Sequence, residues 1–372
     1  VRGFRDIILK AIEMRGTGWV PCEVVFLPAT WQKYREQIVK IILRHRRLFP
    51  EFKPGTVNYD DLGMMRKGNT FTDEWGCVWS YNFDGLGGIV AKHPLEDWNS
   101  FKDFSPPHPE LGLPGGKTIL GQELGYLQGI GSIVDWDTIG QDLKKTREDG
   151  FLVVGGLPHG FMFQRLTYIR GFTNLMKDFI KKPPQLYELI GIVTEYNEAL
   201  VDRILKLGVD AINFGDDLGC QDRMPISKKT FREFIFPAYN KIFKKVREAG
   251  VHPYFHTDGH VMEVADDLIE SGASVLNIQD VVNGIDNIKD KCKGRVCVGL
   301  DIDRQRLMPF GTPPQVKDHI KWAIIKLGSN IGGLMLLAGI YPDAKLKNIE
   351  ALCQAMEQYM GYYKEEDEGG LQ

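Results

Sequence analysis

The side chains best placed to do chemistry gather in His252-Pro-Tyr-Phe-His-Thr-Asp-Gly-His260, where an apolar and aromatic run gives way to His256, Asp258 and His260. Residues two apart on an extended backbone project to the same side, so His256 and Asp258 face one space. Gly259 lets the chain turn sharply into a helix-like segment, 261–271. An imidazole beside a carboxylate can ligate a metal, or act as acid or base near neutral pH. The plainer alternative is a hydrogen bond inside the fold. A second acidic group, Asp216-Asp217, closes the apolar run 211–215. Carboxylates around one imidazole suit a divalent ion, or a histidine whose proton affinity neighbouring anions raise.

These groups need a frame that brings the ends of several strands together. Apolar runs near residues 20, 58, 151, 211, 252, 275, 296 and 332 read as strands, the one at 57–62 weakly because it carries Asp60 and Asp61. Amphipathic segments at 31–48, 136–149, 160–206, 227–249, 313–327 and 344–360 read as helices between them. Eight βα units predict a (β/α)8 TIM barrel with chemistry at the C-terminal strand ends. A doubly wound sheet is the alternative, but no G-x-G-x-x-G follows the first strand. Residues 69–94 break the rhythm with aromatics, Thr and Gly, and 105–117 are rich in Pro and Gly. The segment at about 64–135 is therefore expected to be a β-hairpin-rich insertion between the second and third strands of a single domain, 1–372. The tail from Lys364 is acidic and reads as frayed.

On those strand ends stand Leu157-Pro-His159-Gly160, Asp216-Asp217, His256 with Asp258, Gln279-Asp280, Asp301 with Asp303, and Ala338-Gly-Ile-Tyr341. Capping of the next helix suits Asp303 and Asp280. With 46 basic and 49 acidic side chains in 372 residues, the net charge of −3 argues against a nucleic-acid partner. No run approaches about 18 apolar residues, and the first residues lack the layout of a signal peptide, so no membrane partner and a cytoplasmic location are expected. The six cysteines contain no C-x-x-C pair, and neither a disulfide framework nor a cysteine zinc site is expected.

The run from Phe214-Gly-Asp-Asp-Leu-Gly-Cys220 to Phe243, His256-Thr-Asp-Gly-His260 and Gly299-Leu-Asp-Ile-Asp-Arg304 resembles the uroporphyrinogen decarboxylase superfamily. So do Phe161-Met-Phe-Gln-Arg165, Arg170-Gly-Phe-Thr-Asn-Leu-Met-Lys-Asp178 and Asp73-Glu-Trp-Gly-Cys-Val-Trp79. The resemblance spans most of the chain and implies the barrel independently. It leaves open a decarboxylase or a corrinoid-dependent methyltransferase. Decarboxylases of the superfamily carry Trp-x-Met-Arg-Gln-Ala-Gly-Arg after the first strand to hold an octacarboxylate. Here that place reads Phe26-Leu-Pro-Ala-Thr-Trp-Gln-Lys-Tyr-Arg35, without the arginine cluster. Its thiol-directed methyltransferases bind zinc through His-x-Cys on the fifth strand and a Cys near the eighth. Here the matching places read His256-Thr-Asp258 and Ala338-Gly-Ile, and the soft ligands are gone.

The chain looks most like the substrate-side methyltransferase of O-demethylase systems, which moves a methyl group from a methoxylated aromatic to cob(I)alamin. No D-x-H-x-x-G motif is present, so the resemblance implies a separate corrinoid protein as partner; a homodimer is among the assemblies it allows. The phenolate must be protonated or bound to a Lewis acid as it leaves. His256 supported by Asp217 or Asp258 would give the proton, or the same three residues would hold Zn²⁺. Trp75, Trp79, Tyr81 and Phe83, with Met162 and Phe163, are expected to wall a flat ring, although each also suits a hairpin core. Asp216 and Glu74 are candidate substrate contacts, Glu74 toward a phenol hydroxyl. A metal-dependent hydrolase or lyase, and a relative that only binds, remain as rivals.

Overall fold

A computed structural model describes residues 4–109 and 136–364. The strands are β1 (Cys22–Phe26), β2 (Thr70–Thr72), β3 (Val78–Ser80), β4 (Ile89–Lys92) and β5 (Val154–Gly156). They continue as β6 (Ala211–Gly215), β7 (His252–Thr257), β8 (Val275–Gln279), β9 (Cys297–Asp301) and β10 (Leu334–Ile340). Seven of them form one parallel sheet in the order β1-β10-β9-β8-β7-β6-β5. They are short and largely buried, β6, β8 and β9 mostly by apolar side chains, as a sheet wrapped in helices requires. The order is that of a barrel laid open between β1 and β5, curled into a half-barrel.

The expected eighth strand, 57–62, is corrected: among the described residues the large sheet has seven strands. Asn58 Oδ1 accepts from the Asp60 amide at 3.2 Å, and Asp61 Oδ1 accepts from the Gly63 amide at 3.2 Å. Such side-chain turns take the backbone donors that a ladder would need. The expected helices at 31–48 and 227–249 are each broken in two, as Pro28–Tyr34 with Glu36–Arg44 and Lys228–Phe234 with Phe236–Glu248. Residues 110–135, in the expected insertion, and the acidic tail from 365 lie outside the described residues.

The N-terminal end of the sheet is sealed. Helix Phe4–Glu13 lays Ile8 and Ile12 against Val154, Ala211, Val275, Cys297 and Met335, the bottom residues of the strands. Arg5 anchors the plug by a two-pronged bond to Asp210, 2.9 and 2.6 Å. Among the described residues this closes the N-terminal end, and the C-terminal strand ends carry the polar side chains.

Between β1 and β5 the chain forms a small antiparallel sheet, with Phe71 opposite Trp79 and Trp79 opposite Val90. Asp73 organises it. Its carboxylate accepts from the amides of Trp75 (3.0 Å) and Cys77 (2.8 Å), from Trp79 Nε1 (2.9 Å) and from Arg165 Nη1 (3.2 Å). Asp73 and Arg165 are both buried, so the ion pair ties this sheet to helix Phe163–Arg170 in a dry setting. Removing one member of such a pair strands the other charge. Asp73→Ala is expected to cost about 3–5 kcal/mol, measured as a lower urea midpoint; a loss below about 1 kcal/mol would contradict this role. The Arg170-to-Asp178 motif is structural in the same way. Arg170 Nε donates to Asp178 (2.7 Å), its Nη1 donates to the Glu96 carbonyl (2.6 Å), and its guanidinium lies 4.2 Å from the Trp98 ring.

Candidate active site

Strand register sets the site in two tiers. Gly215, His256, Asn277 and Gly299 pair across β6, β7, β8 and β9 at one height. Two residues further along, Asp217, Asp258, Gln279 and Asp301 stand above them on the same face. His159 enters from the loop after β5. Its Nε2 lies 3.5 Å from Asp217 Oδ1, and His256 Nε2 lies 4.0 Å from that same oxygen and 3.7 Å from Asp258 Oδ1. One donor atom from each of His159, Asp217 and His256 falls within 4.8 Å of the others.

Asp217 is held in place by two bonds. Its Oδ1 accepts from the Asp258 amide at 3.0 Å and its Oδ2 from Gln164 Nε2 at 2.9 Å. Burial works against its ionisation, but the neighbouring imidazoles of His159 and His256 hold it below the ordinary carboxylate range. For His159, burial disfavours the charged ring, yet the adjacent Asp217 carboxylate, with Asp216 and Asp258 beyond, raises it above the usual imidazole value. Above Asp258, Arg304 donates to both Asp258 and Asp301 and lies 5.2 Å from the Tyr341 ring. That leaves Asp258 Oδ1 buried without a hydrogen-bond partner, on the side facing His256.

Separations of 3.5–4.0 Å are long for direct hydrogen bonds. Ligands about 2.0–2.1 Å from a tetrahedral zinc sit roughly 3.3 Å apart. Two imidazole nitrogens, a carboxylate and a second carboxylate oxygen without a partner therefore fit a divalent ion of borderline softness.

Sequence reasoning placed His256, Asp217 and Asp258 together, and the geometry does so too. His159 was seen at its strand end but not assigned to the site; its position two strands from His256 and ahead of Gly160 was the available signal. Asn277, Gln164 and Arg304 were missed. Asp216 requires a correction. Its side chain is fully buried and its oxygens accept from the Phe163 and Gln164 amides (2.6 and 2.7 Å) and Tyr239 Oη (2.6 Å). Neighbouring residues at a strand exit point opposite ways, so this carboxylate serves the start of helix Phe163–Arg170. Burial pushes it up to about 6 against the pull of those three donors.

The aromatic wall is corrected as well. Trp75, Trp79, Tyr81, Met162 and Phe163 are buried in the fold. Trp75 packs edge-on to Tyr196, and Trp79 stacks on Phe71 and meets Tyr168 edge-on. Phe83 is exposed. Glu74, in the β2–β3 turn, is pushed up by burial, with the Arg165 charge pulling back. Tyr168, Tyr239 and Tyr341 all feel the Asp217 charge, and all three are raised mainly by burial.

Glycines make room for this packing. A Cβ at Gly215 would stand 2.5 Å from His159 Cδ2 and 3.1 Å from its Nε2. Gly215→Ala is expected to push His159 off Asp217 and lower divalent-metal affinity about tenfold or more while the protein still folds. Unchanged zinc affinity in that variant would contradict the packing. Gly259, at φ +81°, lies against the Gly219 backbone, which lets the β6 and β7 loops meet directly.

The model of the uroporphyrinogen decarboxylase (URO-D) family matches residues 159–359, a span that begins at His159 and contains Asp217, His256 and Asp258. The chain belongs to that family. Among solved structures it is similar to a methyltransferase from Methanosarcina mazei, at 18% identity and a TM-score of 0.60, covering 95% of this chain and 98% of that one. A 3-keto-D-glucoside 4-epimerase from E. coli aligns at 10% identity and a TM-score of 0.36, over 73% of this chain and 96% of that one. No curated protein sequence matches the chain. No helix among the described residues is long and apolar enough to cross a membrane.

Proposed function

We propose that this URO-D family member is a methyltransferase that takes the methyl group of a methoxylated aromatic compound and passes it to cob(I)alamin carried on a separate corrinoid protein. One observation carries the reading: the strand ends converge on nitrogen and oxygen donors, His159, Asp217 and His256, and the cluster includes no cysteine. Of the cysteines, only Cys220 is exposed; Cys22, Cys77, Cys292, Cys297 and Cys353 are buried. A site that activates a thiol acceptor calls for soft ligands. This harder set suits an oxygen leaving group. The likeness in fold to the Methanosarcina mazei methyltransferase is in keeping with the reading.

The C–O bond breaks with its electron pair passing to the aryl oxygen, and the methyl carbon takes its new pair from cobalt. The protein's share is to stabilise the phenolate as it forms. Asp217, kept ionised and held by Gln164 and the Asp258 amide, fixes both imidazoles around one point. His256, or the doubly perturbed pair His159–Asp217, faces the ether oxygen there. A divalent ion such as Zn²⁺ on His159, Asp217 and His256, with Asp258 beside them, would polarise that oxygen as a Lewis acid.

The test incubates the protein with chemically reduced cobalamin and a methoxybenzoate. Methylcobalamin and the corresponding phenol should appear one for one. Decarboxylation of a porphyrinogen with no methyl transfer would overturn the reading.

A further inference from the structure

The two nitrogens of His256 have different surroundings, and the difference runs through Asn277, its neighbour across the β7–β8 pairing. His256 Nδ1 lies 2.7 Å from Asn277 Oδ1, and Asn277 Nδ2 donates to the Gly299 carbonyl at 2.8 Å. A carbonyl can only accept, so the amide of Asn277 has one orientation, with its oxygen toward the ring. An amide oxygen also only accepts, so the proton of that bond belongs to His256 Nδ1. The two bonds together hold the amide in that orientation. Asn277 is buried on β8, and a Cβ at Gly299 would lie 3.2 Å from Asn277 Cβ and 3.1 Å from Tyr254 Oη.

We propose that Asn277 is the positioning residue of the site: it holds neutral His256 as the Nδ1–H tautomer, so that the Nε2 lone pair faces Asp217 and Asp258. In that state His256 Nε2 has no proton to give and is ready to ligate a divalent cation. Each donor then has its own support. Asn277 orients His256, Gln164 and the Asp258 amide orient Asp217, and the bare backbone of Gly215 receives the ring of His159. Such outer partners of ligating histidines are worth about 10–100-fold in metal affinity. The inference rests on the site described above and is independent of the identity of the methyl donor.

The experiment has two readouts, neither of them turnover. Two-bond ¹H–¹⁵N correlation spectra of the metal-free protein, with His256 assigned by substitution, report which ring nitrogen carries the proton. Titration with Zn²⁺ against a chromophoric chelator gives affinity for the parent, Asn277→Asp and Asn277→Leu. The expected results are an Nδ1–H tautomer in the parent, a 10–100-fold loss of zinc affinity in Asn277→Leu, and affinity within several-fold of the parent in Asn277→Asp, whose carboxylate still accepts from Nδ1. An Nε2–H tautomer in the parent, or no zinc binding by it, would overturn the proposal. So would an Asp variant as weak as Leu, which would reduce Asn277 to a packing role. The tautomer of the unaltered protein decides the matter even where Asn277→Leu does not fold. A parent that binds zinc with the expected tautomer yet demethylates no methoxyarene would sink the functional reading and leave this one standing.

Discussion

His256→Ala protein is expected to fold as the parent does and to lose about 10²–10⁴-fold of its methyl-transfer rate. The magnitude follows from what the ring does. It is the donor that faces both Asp217 and Asp258, and it stands at the end of β7 where four strands pair in register. Without it, the forming phenolate loses the second imidazole of the site that would hold a Lewis acid. The stability cost is small beside this. The side chain is 23% exposed, and its loss leaves Asn277 Oδ1 without its partner, about 1–3 kcal/mol for a buried acceptor. Rates of methylcobalamin formation and thermal melts of the two proteins supply the comparison. A folded His256→Ala variant within tenfold of the parent rate would remove His256 from the centre of the site.

Leaving-group chemistry should produce the second large effect. A phenol has a pKa near about 10, whereas alcohols approach the value of about 15.7 for water. A difference of roughly five units corresponds to about 7 kcal/mol in the stability of the departing anion. Even half of that, expressed in the transition state, gives aryl methyl ethers an advantage of at least about 10²-fold over alkyl ones. The oxygen-rich cluster relieves part of the charge and cannot erase the difference. Relative rates for methoxybenzoates, an alkyl methyl ether, methanol and methylamine test it. Methanol or methylamine reacting as fast as a methoxybenzoate would contradict an aryl ether donor.

Much of the frame was legible because its strands are short apolar runs with sharp polar ends. The runs 211–215, 252–257 and 275–279 appear in the fold with the limits that their sequence suggests. The run at 57–62 has similar apolar content, but Asn58 and Asp61 turn their own backbone and no strand results. Helix breaks at Arg35 and Ile235 come from local backbone geometry that periodicity does not encode.

Within the site, alternation brought His256 and Asp258 together, and the same rule separates Asp216 from Asp217, because adjacent residues leave a strand on opposite faces. Aromatic content drew attention to Trp75, Trp79 and Tyr81, yet composition does not distinguish a ring that lines a pocket from one that fills a core. His159 is the third residue after β5, in a loop where no periodic phase fixes the direction of a side chain. Asn277 did leave a trace. It is a polar residue in the middle of the buried strand Val-Leu-Asn-Ile-Gln, and a buried amide needs partners.

The most direct measurement of the central claim is the fate of a ¹³C-labelled methoxy carbon. Methoxybenzoate carrying ¹³C in its methyl group, incubated with the protein and cob(I)alamin, is expected to give ¹³C-methylcobalamin in equal amount to the hydroxybenzoate formed, and at least about 10²-fold more slowly with His256→Ala protein. Label appearing instead as formaldehyde or methanol, or a methoxyarene left intact beside reduced cobalamin, would contradict the account.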